Sequence, residues 1–328
     1  MRLRLALAAV AAALALSTQA APNPLFGPIF TADPAALVDG GRVYLYVGRD
    51  EAPPEGKDYV MHEWRVYSSC DMVNWQDHGV PLKAADFAWA TQGQRSRAWA
   101  SHVVKHPGNG RYYFFSTVEH GSNPGFAVGV AVADKPEGPF VDAIGRALIT
   151  HDMTKQTEIA WDDIDPAVFI DSKTGQAHLY WGNTVLKHAR LKASLTELDG
   201  PINVIPVERF TEAAYVHERQ GTYYLSYASG WPEEIAYLTA PSPEGPWTPR
   251  GRIMEKNEGT KTIHQAIFDF NGRSYIAYHN AKLAGGGEYR RSVGVEELQY
   301  GADGAIKPVE QTVAGPRPNP GAGCKTAM

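Results

Sequence analysis

The chain has 328 residues, a formal net charge of −5 and an aromatic content of 11%. Both signs of charge are scattered, so no basic stripe offers itself to a nucleic acid, and there is no acidic tail. Cys70 and Cys324 are the only cysteines, too few for a disulfide scaffold and without a Cys/His cluster for structural zinc.

In chain order the first element is not part of the fold. Arg2 and Arg4 precede an unbroken apolar run from Leu5 to Leu16, and Ser17-Thr18-Gln19-Ala20 follows. The run is too short to span a bilayer, and the pattern predicts an export signal over residues 1–20, cleaved after Ala20. The protein is therefore expected to be exported, periplasmic or secreted, with no membrane anchor.

Beyond Ala20 the chain reads as all-β. Short alternating strands such as Val43–Val47, Tyr112–Ser116 and Tyr223–Tyr227 are bounded by Gly, Asn, Asp and Pro. One phrase recurs five times: a polar residue, about four apolar residues, a glycine turn and an aromatic strand. It begins at Asp33, His102, Asp165, Glu212 and His264. The step to the turn glycine is 8 residues from Asp33, His102 and His264, 9 from Glu212 and 10 from Asp165. The stretches that follow, such as Tyr67–Trp75, Ala131–Phe140 and Leu238–Trp247, read as a third strand, a turn and an outer strand. Five units of four antiparallel strands predict a five-bladed β-propeller. It is expected over residues 21–314, with 315–328 as a Gly/Pro-rich solvated tail. Cys70 and Cys324 can pair in an oxidising compartment; with Cys324 in such a tail, the reading favours two unpaired thiols.

The innermost strand of each propeller blade lines the axis, so the five leading residues must meet at one mouth of the channel. Any one of them could merely open a strand. Three carboxylates and two histidines at equivalent starts point instead to a site. Asp165 is preferred over Asp163 because Asp33-Pro34-Ala35 aligns with Asp165-Pro166-Ala167. Asp39, Asp171 and Glu218 then fall in hairpin turns. Two carboxyls facing one site can hydrolyse a glycoside, one donating a proton and the other acting on water. A third carboxylate nearby raises the pKa of the donor. Trp99 is the first candidate for stacking on a sugar, with Trp161, Trp181 and Phe169 behind it. Trp75 and Trp247 occupy equivalent outer-strand positions and are assigned to packing.

These motifs resemble glycoside hydrolase family 43, the five-bladed inverting β-xylosidases and α-L-arabinofuranosidases, over essentially the whole chain after Ala20. Ala32-Asp33-Pro34-Ala35 resembles the first-blade motif, and the resemblance makes Asp33 the general base. Ile164-Asp165-Pro166-Ala167 resembles the third-blade motif, making Asp165 the residue that tunes and orients the acid. Phe210-Thr211-Glu212-Ala213 resembles the fourth-blade motif, making Glu212 the general acid. Trp99-Ala100-Ser101-His102 is similar to the second-blade segment, with Ser101 in place of the usual proline, and places Trp99 and His102 among substrate-binding residues. Gly285–Val293 is similar to a fifth-blade segment and implies that Arg291 contacts the sugar or the acid. Ala213-Ala214 departs from the family's Gly-Pro. The resemblance also implies that no cofactor is required, and it makes His264 the candidate neighbour of a channel calcium held through waters. The implied partners are plant cell-wall xylo- or arabino-oligosaccharides, cleaved by an exo-acting β-xylosidase or, alternatively, an α-L-arabinofuranosidase. A β-fructosidase is set aside because its Asn-Asp-Pro, Arg-Asp-Pro and Glu-Cys signatures are missing. A non-catalytic sugar-binding propeller is the reading from another class.

Overall fold

A computed structural model describes residues 22–154, 157–321 and 324; the expected signal peptide lies outside the described residues. Blade I holds β1 (Thr31–Asp39), β2 (Arg42–Arg49), β3 (Glu63–Ser69), β4 (Trp75–Asp77) and β5 (Leu82–Lys83). Blade II holds β6 (Ala98–Lys105), β7 (Tyr112–Glu119), β8 (Phe126–Ala133) and β9 (Val141–Asp142). After α1 (His151–Thr154), blade III holds β10 (Ala167–Ile170), β11 (Ala177–Trp181), β12 (Leu186–Leu191) and β13 (Asn203–Ile205). Blade IV holds β14 (Phe210–Arg219), β15 (Thr222–Ser229), β16 (Glu234–Ala240) and β17 (Thr248–Met254). Blade V holds β18 (Gln265–Phe270), β19 (Arg273–Asn280) and β20 (Ser292–Leu298). Every pair is antiparallel and, apart from β5 on β3, consecutive, so each blade is a meander and the molecule is a five-bladed propeller.

The aromatic strands serve as mortar between blades because a propeller strand is buried on both faces. Successive side chains of β7 point to opposite faces. Tyr112 and Phe114 fill the seam with blade I, while Tyr113 and Phe115 fill the seam with blade III. Tyr180 and Leu225 share the seam between blades III and IV. The largest cluster joins blades IV, V and I, from Tyr237 through Ile276 to Leu45. Trp75 and Trp247 pack on the edges of such clusters, as their positions predicted.

Two expectations are corrected where the ring closes. Blade V has three paired strands rather than four, and the segment before β1 runs along β20 in place of a fourth. Leu25 donates its N–H to the Val293 carbonyl at 2.7 Å, and the Asn23 side chain bonds both the N–H and the carbonyl of Val295, each at 3.0 Å. Residues 315–321 are a strap rather than a solvated tail. Asn319 is buried and bonds Phe270 O at 2.9 Å and Tyr275 Oη at 2.8 Å. The strap leads Cys324 to Cys70, and the two form a disulfide. The expected pair of free thiols assumed a loose C-terminal stretch; the polar anchors of the strap remove that looseness.

Candidate active site

The inner strands begin with a kink that aims side chains at the axis. Register shifts interrupt β1 between Ala32 and Ala35, β6 between Ala98 and Ser101, and β14 around Glu212. Asp33 and Asp165 take left-handed backbones there, at φ 50° and 58°, a conformation Asp tolerates better than most residues. In blade IV the residue with that backbone is Ala213, at φ 58°. Ala213 to Gly221 is 8 residues, matching Asp33 to Gly41. Glu212 therefore stands one position ahead of the two aspartates, and its extra methylene makes up reach.

The three carboxyls meet in one pocket of about 740 Å³. Asp33 Oδ1 accepts from Arg291 Nη1 at 3.1 Å and faces His279 Nδ1 at 3.1 Å. Arg291 is itself clamped by Asp50, with Nε to Oδ2 and Nη2 to Oδ1 both at 2.9 Å. Burial alone would push the Asp33 carboxyl up; the Arg291 guanidinium, then His279, overcome this and hold it well below the usual carboxylate range. Glu212 is driven the other way. Burial, then the charge of Asp165, then that of Asp33 push it up to about 8. The amide of Asn183 donates to its Oε2 at 2.7 Å.

Asp165 ties the two together. Its N–H donates to Thr117 Oγ1 at 2.9 Å, and its Oδ2 accepts the Ala213 N–H at 3.0 Å, next to the acid. His264 Nδ1 lies 3.5 Å from Asp165 Oδ2 and 4.0 Å from Asp33 Oδ1. Although burial opposes it, the bond and charge of Asp165, and then the charge of Asp33, raise the His264 pKa. The pocket thus holds one carboxyl held low, one pushed up and the Asp165 carboxyl between them, which is the equipment for acid and base catalysis on one bond.

The family model for glycosyl hydrolases family 43 matches residues 21–306. The chain belongs to glycosyl hydrolase family 43. It is 32% identical to an arabinoxylan arabinofuranohydrolase of Bacillus subtilis (strain 168) over 89% of its own length, and spans 65% of that relative. A xylosidase/arabinosidase of Bacteroides ovatus is 32% identical, over 86% of this chain and 95% of the relative. Among solved structures, a family 43 β-xylosidase/α-arabinofuranosidase from a compost microbial metagenome, in complex with xylotriose and calcium-free, aligns with a TM-score of 0.77. It is 29% identical, with 89% of this chain and 98% of that one covered.

Against the family-43 expectations, the remaining residues divide. Trp99 and Arg291 line the pocket; Arg291 reaches Asp33 rather than Glu212. His102 does not line it. It sits deeper in the channel beside Tyr215, ring centroids 5.4 Å apart, against a second cavity at the opposite mouth. Burial, then the charge of His264, lowers its pKa to about 4, so it is a neutral channel residue. Trp181 is fully buried with its Nε1 on Asp163, and Phe169 borders the opposite cavity. Asp163 faces Lys187 at 3.1 Å, away from the centre. Among the described residues His264 joins no group of three or more His, Cys, Asp or Glu side chains placed to hold one ion. Calcium takes six to eight oxygens, and the His264 nitrogen is turned to two carboxylates already engaged with Arg291 and Ala213.

Residues that the sequence reading missed are Asp50, Asn183, Trp231, Glu233 and His279. Asp50, Asn183 and Trp231 follow the second strands of their blades, which run back to the same mouth. The phrase carried a signal for them: Gly48-Arg49-Asp50 and Gly182-Asn183 close the aromatic strands of copies one and three. Glu233 is a further buried carboxyl, raised by burial and then by the charge of Glu212.

Proposed function

We propose that the protein is an inverting, exo-acting glycoside hydrolase on xylan-derived oligosaccharides, a β-xylosidase first. The observation that carries this is the meeting of three carboxyls in one pocket with different partners, Asp33 on Arg291, Asp165 on the Ala213 N–H and Glu212 on the Asn183 amide. Asp33, held ionised by Arg291 and His279, serves as general base and draws a proton from water. Glu212, held protonated by burial and Asp165, donates its proton to the departing oxygen. Asp165 keeps Glu212 protonated and, through the Ala213 N–H, fixes where it stands. After inversion Asp33 holds the proton from water and Glu212 is ionised; exchange with solvent resets both.

The names of the relatives support two sugars. The Bacteroides ovatus relative is a xylosidase/arabinosidase and the Bacillus subtilis relative an arabinoxylan arabinofuranohydrolase, so α-L-arabinofuranoside cleavage is the second reading. Initial rates on nitrophenyl β-xylopyranoside and α-L-arabinofuranoside decide between them. Glu212→Gln separates an enzyme from a sugar-binding propeller: hydrolysis of oligosaccharides is expected to fall at least about 10³-fold with binding retained. Unchanged turnover overturns the acid role. Export is part of the proposal. The 1–20 pattern and the Cys70–Cys324 bridge support an oxidising compartment, and the mature protein is expected to begin at Ala21 by N-terminal sequencing.

A further inference from the structure

An acid on one side and a base on the other give the pocket a direction. In an inverting hydrolysis the leaving group departs on the side of the acid, and water arrives on the side of the base. The aromatic side chains of the pocket differ between these sides. On blades I and II, near Asp33, the rings are packed on one another. Trp99 lies on Phe126 with centroids 4.2 Å apart, and Tyr59 meets Trp99 edge-on at 6.0 Å. Two further indoles line the same pocket but are open to water: Trp231, which follows β15 of blade IV, and Trp161, in the segment before β10 whose Ala160 carbonyl accepts the Phe126 N–H. Trp161 is 45% exposed and Trp231 60%, and neither touches another aromatic ring among the described residues.

Trp231 is exposed without being loose. Its neighbour Gly230 donates an N–H to Arg209 O at 3.0 Å, and the Gly230 carbonyl accepts the hydroxyl of Thr211, the residue before the acid, at 2.8 Å. On its other side Glu233 is fully buried. The Glu233 N–H bonds Lys261 O at 2.8 Å, and its Oε2 accepts the Ile263 N–H at 2.8 Å. Lys261 Nζ stands over the Trp231 ring, 5.9 Å from its centroid; the exposed remainder of this flat apolar surface, held beside an acid by anchors at both ends, is what a sugar ring stacks on.

We infer that Trp231 forms the leaving-group subsite. The pyranose on the reducing-end side of the scissile bond stacks on its indole, and Trp161 walls the far side. The ligand class is a β-linked pentopyranose, the xylose unit that becomes the new non-reducing end of the shortened chain after each turnover. This rests on the acid role proposed for Glu212, because that role sets which side the leaving group takes. Trp231 then governs which chains are cut, while the base-side aromatics govern which sugar is removed.

The test compares two substrates that share the cleaved sugar, xylotriose and β-xylosyl fluoride. The fluoride has no leaving sugar to stack. In Trp231→Ala, kcat/KM on xylotriose is expected to fall about tenfold more than on the fluoride, mainly through KM. Trp231→Phe should recover most of the difference. Equal losses on both substrates mark a general structural effect and overturn the inference. So does an active enzyme whose Trp231→Ala variant keeps its full rate on xylotriose; the proposed function survives that result. A wild-type protein that neither hydrolyses the fluoride nor binds xylotriose by calorimetry overturns both.

Discussion

Asp33 and Glu212 share one pocket, yet their neighbours drive them apart. Arg291 and His279 hold Asp33 well below the usual carboxylate range, so under the proposed roles Glu212 sets the alkaline limit of activity. kcat/KM is expected to hold through neutral pH and fall above about 8. Asp165→Asn removes the largest charge acting on Glu212 and should move that limb down by about one pH unit or more; an unmoved limb contradicts the role given to Asp165. The same displacement has a stability signature. Glu212 is raised in the folded state, so the fold is at full advantage below the ordinary value of 4.5 and loses stability as pH rises toward about 8. Glu212→Gln is spared that loss. Thermal melts should show variant and parent alike near pH 4 and the variant more stable at pH 8; a difference that does not grow with pH contradicts the shift. Asp33 and Asp165 were legible because each opens its inner strand with the same Asp-Pro-Ala. Glu212 was legible only with its register one residue off, since the backbone turn that repeats belongs to Ala213.

At the scale of elements, the site is built from both ends of each hairpin. The inner strand supplies the acids, and the end of the second strand supplies what holds them. Sequence reading found the first set because a glycine turn at near-constant spacing marks it. It missed Asp50, Asn183 and His279 because their partners lie on other blades, and pairing across blades leaves no local pattern. The segment leading into β10 shows how Asp165 is supported. Lys187 on β12 is fully buried, with Nζ 3.1 Å from Asp163 Oδ1 and 3.4 Å from Asp162 Oδ2. Lys187→Met leaves the two buried carboxyls without their lysine, with His151 as the remaining basic group beside them. Urea unfolding should show a loss of about 3–5 kcal/mol, and a loss below about 1 kcal/mol would contradict a structural role for the pair.

At the scale of the molecule, a propeller must hold its first and last blades together. Here β20 is covered by the segment before β1, and the strap from residue 315 returns to blade I and ends in the Cys70–Cys324 bridge. The bridge closes a loop of 254 residues. Cys70→Ser with Cys324→Ser should cost about 2–4 kcal/mol in reversible unfolding, while kcat/KM at 25 °C stays within about twofold because neither cysteine borders the pocket. A fall in activity at unchanged stability would contradict this separation. The fivefold repeat made the architecture legible. The closure was not, because Asn319 and Cys324 sit in a Gly/Pro-rich stretch whose order comes from partners in blades V and I. The most direct test of the central claim is the anomer first released from xylotriose, followed by proton NMR before mutarotation. An ionised Asp33 activating water opposite a protonated Glu212 predicts α-xylose; β-xylose as the first product would contradict it.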